Sequence, residues 1–118
     1  MRGIPLLFGS DAPVEPMDPI LGLQAAVTRQ TPEGHPPGGW FPEQRLTLEE
    51  SLPGFTAVPA WVSGREDRVG RIREGHWADL TVFARNLFTT PAGEWPSVPV
   101  ELTIVNGEVL FQNGEKCF

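Results

Sequence analysis

The tightest constraint on this chain is the run Ile4-Pro5-Leu6-Leu7-Phe8, apolar without interruption, closed by Gly9-Ser10 and followed at once by the carboxylate of Asp11. Such a run has the character of a strand buried on both faces in a parallel sheet. Asp18-Pro19 then opens a helical pattern, with a side-chain acceptor at the N-cap and a proline at the first helical position, where its missing N–H leaves no donor unpaired. The predicted order is therefore buried strand, acid-bearing loop, helix. In parallel α/β architectures the chemistry sits just past the carboxyl ends of the strands, and Asp11 occupies that position. An Asp two residues before a proline also commonly caps a turn through its own side chain. Pattern alone leaves both roles open.

Further along, residues 19–29 are predicted as a helix with Ile20, Leu23 and Val27 on one face. A proline- and glycine-rich loop, Thr31 to Pro42, ends it. Thr47-Leu48-Glu49-Glu50 is a capping box that starts a second helix, whose apolar stripe continues through Leu48, Leu52 and Phe55. Pro53 and Gly54 then contradict that helix, since an interior proline costs on the order of 3 kcal/mol. With Pro59 repeating the conflict, the sequence predicts a short helix, a break, and a second piece reaching toward Ser63-Gly64. From residue 69 the period changes to two. Leu80, Val82 and Ala84 alternate with more polar neighbours, as do Val98, Val100, Leu102 and Ile104. Asn106-Gly107 is a strong hairpin signal, because both central residues of a type I′ turn need positive φ. A two-residue turn there predicts strands over roughly 100–105 and 108–112, with Ile104 opposite Val109, Leu102 opposite Phe111, and all of these on the buried face.

Composition narrows the function classes. At 118 residues, 40% hydrophobic and 20% charged, the chain is at most one ordinary globular domain. A net charge of −6 argues against nucleic acid or an anionic membrane as partner. Arg65, Arg68, Arg71 and Arg73 are interleaved with Glu66, Asp67 and Glu74, the pattern of a solvated face. The single cysteine, Cys117, permits no intramolecular disulfide and suits a reducing compartment. No apolar run approaches the ~20 residues of a membrane span. The start of the chain lacks the pattern of a signal peptide. The expected location is cytoplasmic.

The segment Phe8-Gly9-Ser10-Asp11-Ala12-Pro13-Val14, with Asp18-Pro19, Gly22-Leu23, Ala25-Ala26-Val27-Thr28-Arg29, Gly38-Gly39-Trp40 and Pro42-Glu43-Gln44-Arg45-Leu46, resembles the last part of amidohydrolase family 3. That family belongs to the metal-dependent amidohydrolase superfamily and includes N-acyl-D-amino-acid deacylases and N-substituted formamide deformylases. Gly70-x-Ile72-x-x-Gly75-x-x-Ala78-Asp79-Leu80 and Val105-Asn106-Gly107-Glu108-Val109 are similar to the superfamily's closing strands. The resemblance implies an α/β fold. Residues 1–63 would be the last strand and helices of a (β/α)₈ TIM barrel, incomplete in this chain, and 64–118 the C-terminal strands of a small β-sandwich. Asp79 would be structural, tying a turn. Pro53, Pro59 and His76 depart from the family's usual residues.

The same resemblance implies a hydrolase of non-peptide carbon–nitrogen bonds, with a small-molecule amide, N-acyl or N-formyl substrate. Asp11 would be both a metal contact and the general base and acid, passing a proton from the attacking water to the leaving amine. The implied cofactor is a divalent metal, zinc foremost, in the complete enzyme. A catalytic zinc needs about three protein ligands, however, and this chain has only His35 and His76, each most simply a surface residue. The chain is therefore expected to be a fragment or truncated product with no metal bound on its own. The alternative is an inactive remnant acting at most as a protein-interaction module. Ser10 as a nucleophile, Glu15 as a substrate contact and Trp40 as a pocket wall are weaker candidates; turn capping, solvation and loop anchoring explain them more simply. Uncovered strand edges lead us to expect self-association. Size-exclusion chromatography of the isolated chain should show oligomers or aggregates; a monodisperse, cooperatively melting monomer would instead indicate an independent domain.

Overall fold

The computed structural model describes residues 3–114, so Cys117 lies outside the described residues. Helix α1 spans Pro19–Thr28, α2 Leu48–Phe55 and α3 Ala57–Val62; strands β1, β2 and β3 span Leu80–Phe83, Val100–Val105 and Glu108–Gln112. Short 3-10 turns at Pro42–Gln44 and Ala92–Ser97 punctuate the connections. No described helix is long and apolar enough to cross a membrane.

The helices form where local chemistry places them. Asp18 caps α1 by accepting from the Ile20 N–H at 3.0 Å, with Pro19 in the first turn. The helix stops when Arg29 turns left-handed at φ 58°. The capping box of α2 is present in both halves: the Glu50 N–H donates to Thr47 Oγ1 at 3.2 Å, and the Thr47 N–H donates to Glu50 Oε2 at 2.9 Å. Pro53 lies inside α2, which nevertheless continues to Phe55. The break falls at Thr56 (φ −127°, ψ −81°), and α3 follows as the second helical piece.

Ile20 and Leu23 of α1 and Leu48 of α2 bury themselves against Leu87, Trp95 and Val98 from the β1–β2 connection. Each such side chain contributes about 1.5–3 kcal/mol when fully buried. One hydrogen bond ties α1 to this connection, and a second, within the connection, holds Trp95. Gln24, itself buried, donates from Nε2 to the Ala92 carbonyl at 3.2 Å, and the Trp95 indole donates to the Thr90 carbonyl at 2.8 Å. The core thus draws on both halves of the sequence.

The sheet is antiparallel in the order β1-β2-β3. Asn106 and Gly107 both have positive φ, 51° and 83°, and close the two-residue turn. Ile104 faces Val109 as expected, but the register then shifts, so that Phe111 pairs with Thr103 and Gln112 with Leu102. Leu110 is the extra residue of a β-bulge, which period-two reasoning has no means to detect. The expected buried face is also corrected. Val109 and Phe111 remain 45% and 44% exposed, while Glu101 and Thr103 are as half-buried as Leu102 and Ile104. The packed core lies over α1 and α2, and of the strand residues Phe83, at the end of β1, packs against it.

The apolar run at 4–8 requires a correction of the same kind. It forms no strand among the described residues, and Ile4 and Leu7 are 71% and 55% exposed. A doubly buried parallel strand needs a neighbour along each edge, and the three strands described here pair only with one another. Thr47→Ala should remove one half of the α2 cap and lower stability by about 1 kcal/mol. This would appear as a lower urea midpoint at unchanged m-value.

Candidate active-site loop

The loop that carries Asp11 hangs from α2. The Phe8 N–H donates to the Gly54 carbonyl at 3.0 Å. The Phe8 ring packs on Phe55 with centroids 5.3 Å apart and planes tilted by 44°. Beyond Gly9-Ser10, Asp11 adopts a left-handed conformation at φ 52°, one that Asp tolerates better than most residues. Its backbone carbonyl accepts from the Val14 N–H at 2.9 Å and closes the turn. The carboxylate takes no part: it is exposed, and no hydrogen bond among the described residues engages it.

Two other Asp residues show what structural use looks like. Asp18 holds the first turn of α1. Asp79 Oδ1 accepts from the Asn106 N–H at 2.7 Å, while the Gly107 N–H donates to the Ala78 carbonyl at 3.1 Å, so Asp79 ties the hairpin turn across the sheet.

Beside the loop, between it and α1, lies a cleft of about 600 Å³. Ser10, Glu15, Met17, Gln24, Ala25 and Phe55 are among its lining residues; Asp11 is not. Trp40 walls no part of it. Its indole instead receives the Arg29 guanidinium at 5.1 Å, and its carbonyl accepts from Arg29 Nε at 3.0 Å, which anchors the proline-glycine loop to the end of α1.

The two histidines sit apart, His35 held through its backbone and His76 through its ring. The His35 carbonyl accepts from the Thr31 N–H at 2.8 Å, and His76 Nε2 lies 3.2 Å from the Glu66 carbonyl. Among the described residues no group of three or more His, Cys, Asp or Glu could hold a metal ion. Asp11 is a suitable hard oxygen donor, but a single exposed carboxylate is not a zinc site, so the described residues do not fit a metal by themselves. Sequence reasoning missed Gln24 as the tie between α1 and Ala92, and Gly54 as the seat of Phe8. The first gave no signal beyond a polar residue next to an apolar stripe. The second gave one, a glycine inside a helical pattern, read there as a weakness.

The sequence profile described as the amidohydrolase family matches residues 1–111, and the chain belongs to that family. It is 31% identical over 111 residues to YtcJ of Bacillus subtilis, assigned as an amidohydrolase, covering 94% of this chain and 21% of that protein. It is 31% identical over 110 residues to the N-substituted formamide deformylase of Arthrobacter pascens, covering 93% of this chain and 20% of that enzyme. The crystal structure of an amidohydrolase from Thermotoga maritima superposes with a TM-score of 0.68 at 24% identity, covering 94% of this chain and 24% of that one. That likeness concerns the fold, which is consistent with a fragment of an α/β amidohydrolase fold. The chain spans about a fifth of the length of the relatives it matches. Elemental analysis of this chain after dialysis should find well under one zinc per chain, with amide hydrolysis at background. Stoichiometric zinc would reveal a ligand set that the geometry lacks.

Proposed function

We propose that this chain is the acid-bearing C-terminal part of a metal-dependent hydrolase of non-peptide carbon–nitrogen bonds, with Asp11 as its general base and acid. Residues 1–63 would complete a (β/α)₈ barrel as its last strand and helices, and residues 64–118 would add strands to a β-sandwich beside it. The observation that carries the reading is the state of Asp11: the turn is closed by its backbone, and the carboxylate is exposed on the loop beside the cleft, engaged by no hydrogen bond among the described residues. Family membership supports it as well.

In such an enzyme the metal, zinc foremost, supplies Lewis acidity, and its histidine ligands would come from outside this chain. Asp11 takes a proton from the attacking water as the water oxygen bonds to the acyl carbon. When the carbon–nitrogen bond breaks, the same proton passes from the carboxyl to the leaving nitrogen, and the products are a carboxylic acid and an amine. A carboxylate on an exposed loop can approach both positions, which a buried or hydrogen-bonded one cannot do without first losing its partner. The resemblance to a formamide deformylase supports small N-acyl or N-formyl substrates.

The test joins this segment to the remainder of the barrel and compares Asp11 with Asn. Asp11→Asn keeps the shape and removes the proton acceptor, so kcat should fall about 10²–10⁴-fold. Equal turnover with Asn at position 11 would reduce Asp11 to a turn residue and end this reading.

A further inference from the structure

We propose that Phe8 and Gly54 form a positioning lock for Asp11, in which the Phe8 ring, seated in the space that Gly54 leaves on α2, sets where the chain enters the acid loop. The inference rests on the proposed role of Asp11 and adds the residues that hold its carboxylate in place.

Gly54 is buried within α2 and keeps a negative φ, so freedom of the backbone is not what glycine supplies there. Space is. A β-carbon at position 54 would collide with the Phe8 ring, lying 2.7 Å from its Cε2, and would stand 3.1 Å from the Leu6 carbonyl oxygen. The same glycine accepts the Phe8 N–H through its carbonyl, so ring and backbone are held at one point. Phe55, the next residue, continues the stack, and its own ring lies over Gly22 of α1, where a β-carbon would come within 2.8 Å of Cζ. The contacts therefore run without interruption from α1 through Phe55 to Phe8. Only Gly9 and Ser10 separate Phe8 from Asp11, and no backbone hydrogen bond among the described residues holds either. Phe8 is thus the last anchor before the carboxylate. Proton transfer is sensitive to such placement: a displacement of about 1 Å, caused by a change away from the reacting atoms, can cost about 10²-fold in rate.

Gly54→Ala pushes a methyl group into the seat, and Phe8→Ala empties it. Gly93→Ala, where an added β-carbon meets open space, is the control. In this chain, hydrogen exchange of the 8–14 peptide, followed by mass spectrometry, should accelerate in both test variants and not in the control. Once Phe8 is Ala, Gly54→Ala should add much less, because only the Leu6 carbonyl then remains close to the new methyl group. In the zinc-loaded joined enzyme, Gly54→Ala should lower kcat about 10- to 10²-fold, with KM and zinc content held. Unchanged exchange in Gly54→Ala, or an equal effect of Gly54→Ala with and without the Phe8 ring, would overturn the lock. Faster exchange with unaltered kcat would uphold the lock and sink the base role of Asp11 instead, and Asp11→Asn would then be equally silent.

Discussion

The N-terminal segment meets the helices through one continuous contact, in which the Phe8 ring rests on Gly54 and Phe55 and the Phe55 ring rests on Gly22. Without it, residues 3–14 would have little to hold them. Their backbone makes one hydrogen bond to a helix, from Phe8 to Gly54, and most of their apolar side chains face outward. Aromatic rings suit this task, because a large rigid side chain gains much contact area for little lost freedom. Two glycines suit it equally, since removing a β-carbon on each helix lets the rings approach the backbone. The cost in helix propensity at Gly22 and Gly54 is thereby offset by packing.

The chain also separates its acidic residues by use. Asp18 and Asp79 each satisfy a backbone N–H, one at a helix start and the other across a sheet at a hairpin turn. Such bonds to ionised acceptors are among the stronger ones in a fold. Glu50 completes the α2 capping box in the same manner. Asp11 has the same chemistry available but uses it in no hydrogen bond among the described residues, its turn being closed by the main chain. A residue type that serves as a brace elsewhere is here exposed at the end of an anchored segment. That contrast distinguishes Asp11 more sharply than its position in the sequence does.

Local signals were the legible part of the sequence. The cap at Asp18, the Thr47–Glu50 box, the helix break after Pro53 and the Asn106-Gly107 turn each depend on residues within a few positions of one another, and each formed as read. What depended on distant partners was not legible. The run at 4–8 has the composition of a buried strand, but burial requires neighbours that the described residues do not provide. Leu87 and Trp95 gave no signal of joining α1, because they lie in an irregular connection with no repeat to detect, and the alternation that included Val98 pointed to a strand and not to the helices. For the candidate site, pattern left Asp11 open between a turn cap and a chemical role, and only the family resemblance singled it out. The seat that holds its loop was not legible, since Phe8 and Gly54 meet only after α2 has folded.

The single extra residue in β3 has a consequence for what the sheet can tolerate around it. Paired residues share a face, so Leu80, Val82, Leu102, Ile104 and Val109 project to one side. Past Leu110 the parity reverses, which puts Phe111 on the opposite side with Thr103 and brings Gln112 round beside Leu102. Neither surface is then wholly oily or wholly wet. An ordinary amphipathic sheet asks for one dry neighbour and leaves its other side to water. This one asks for cover along β1 and β2 on one side and, through Phe111, again near the far end of β3 on the other, so a single dry neighbour does not serve the whole of it.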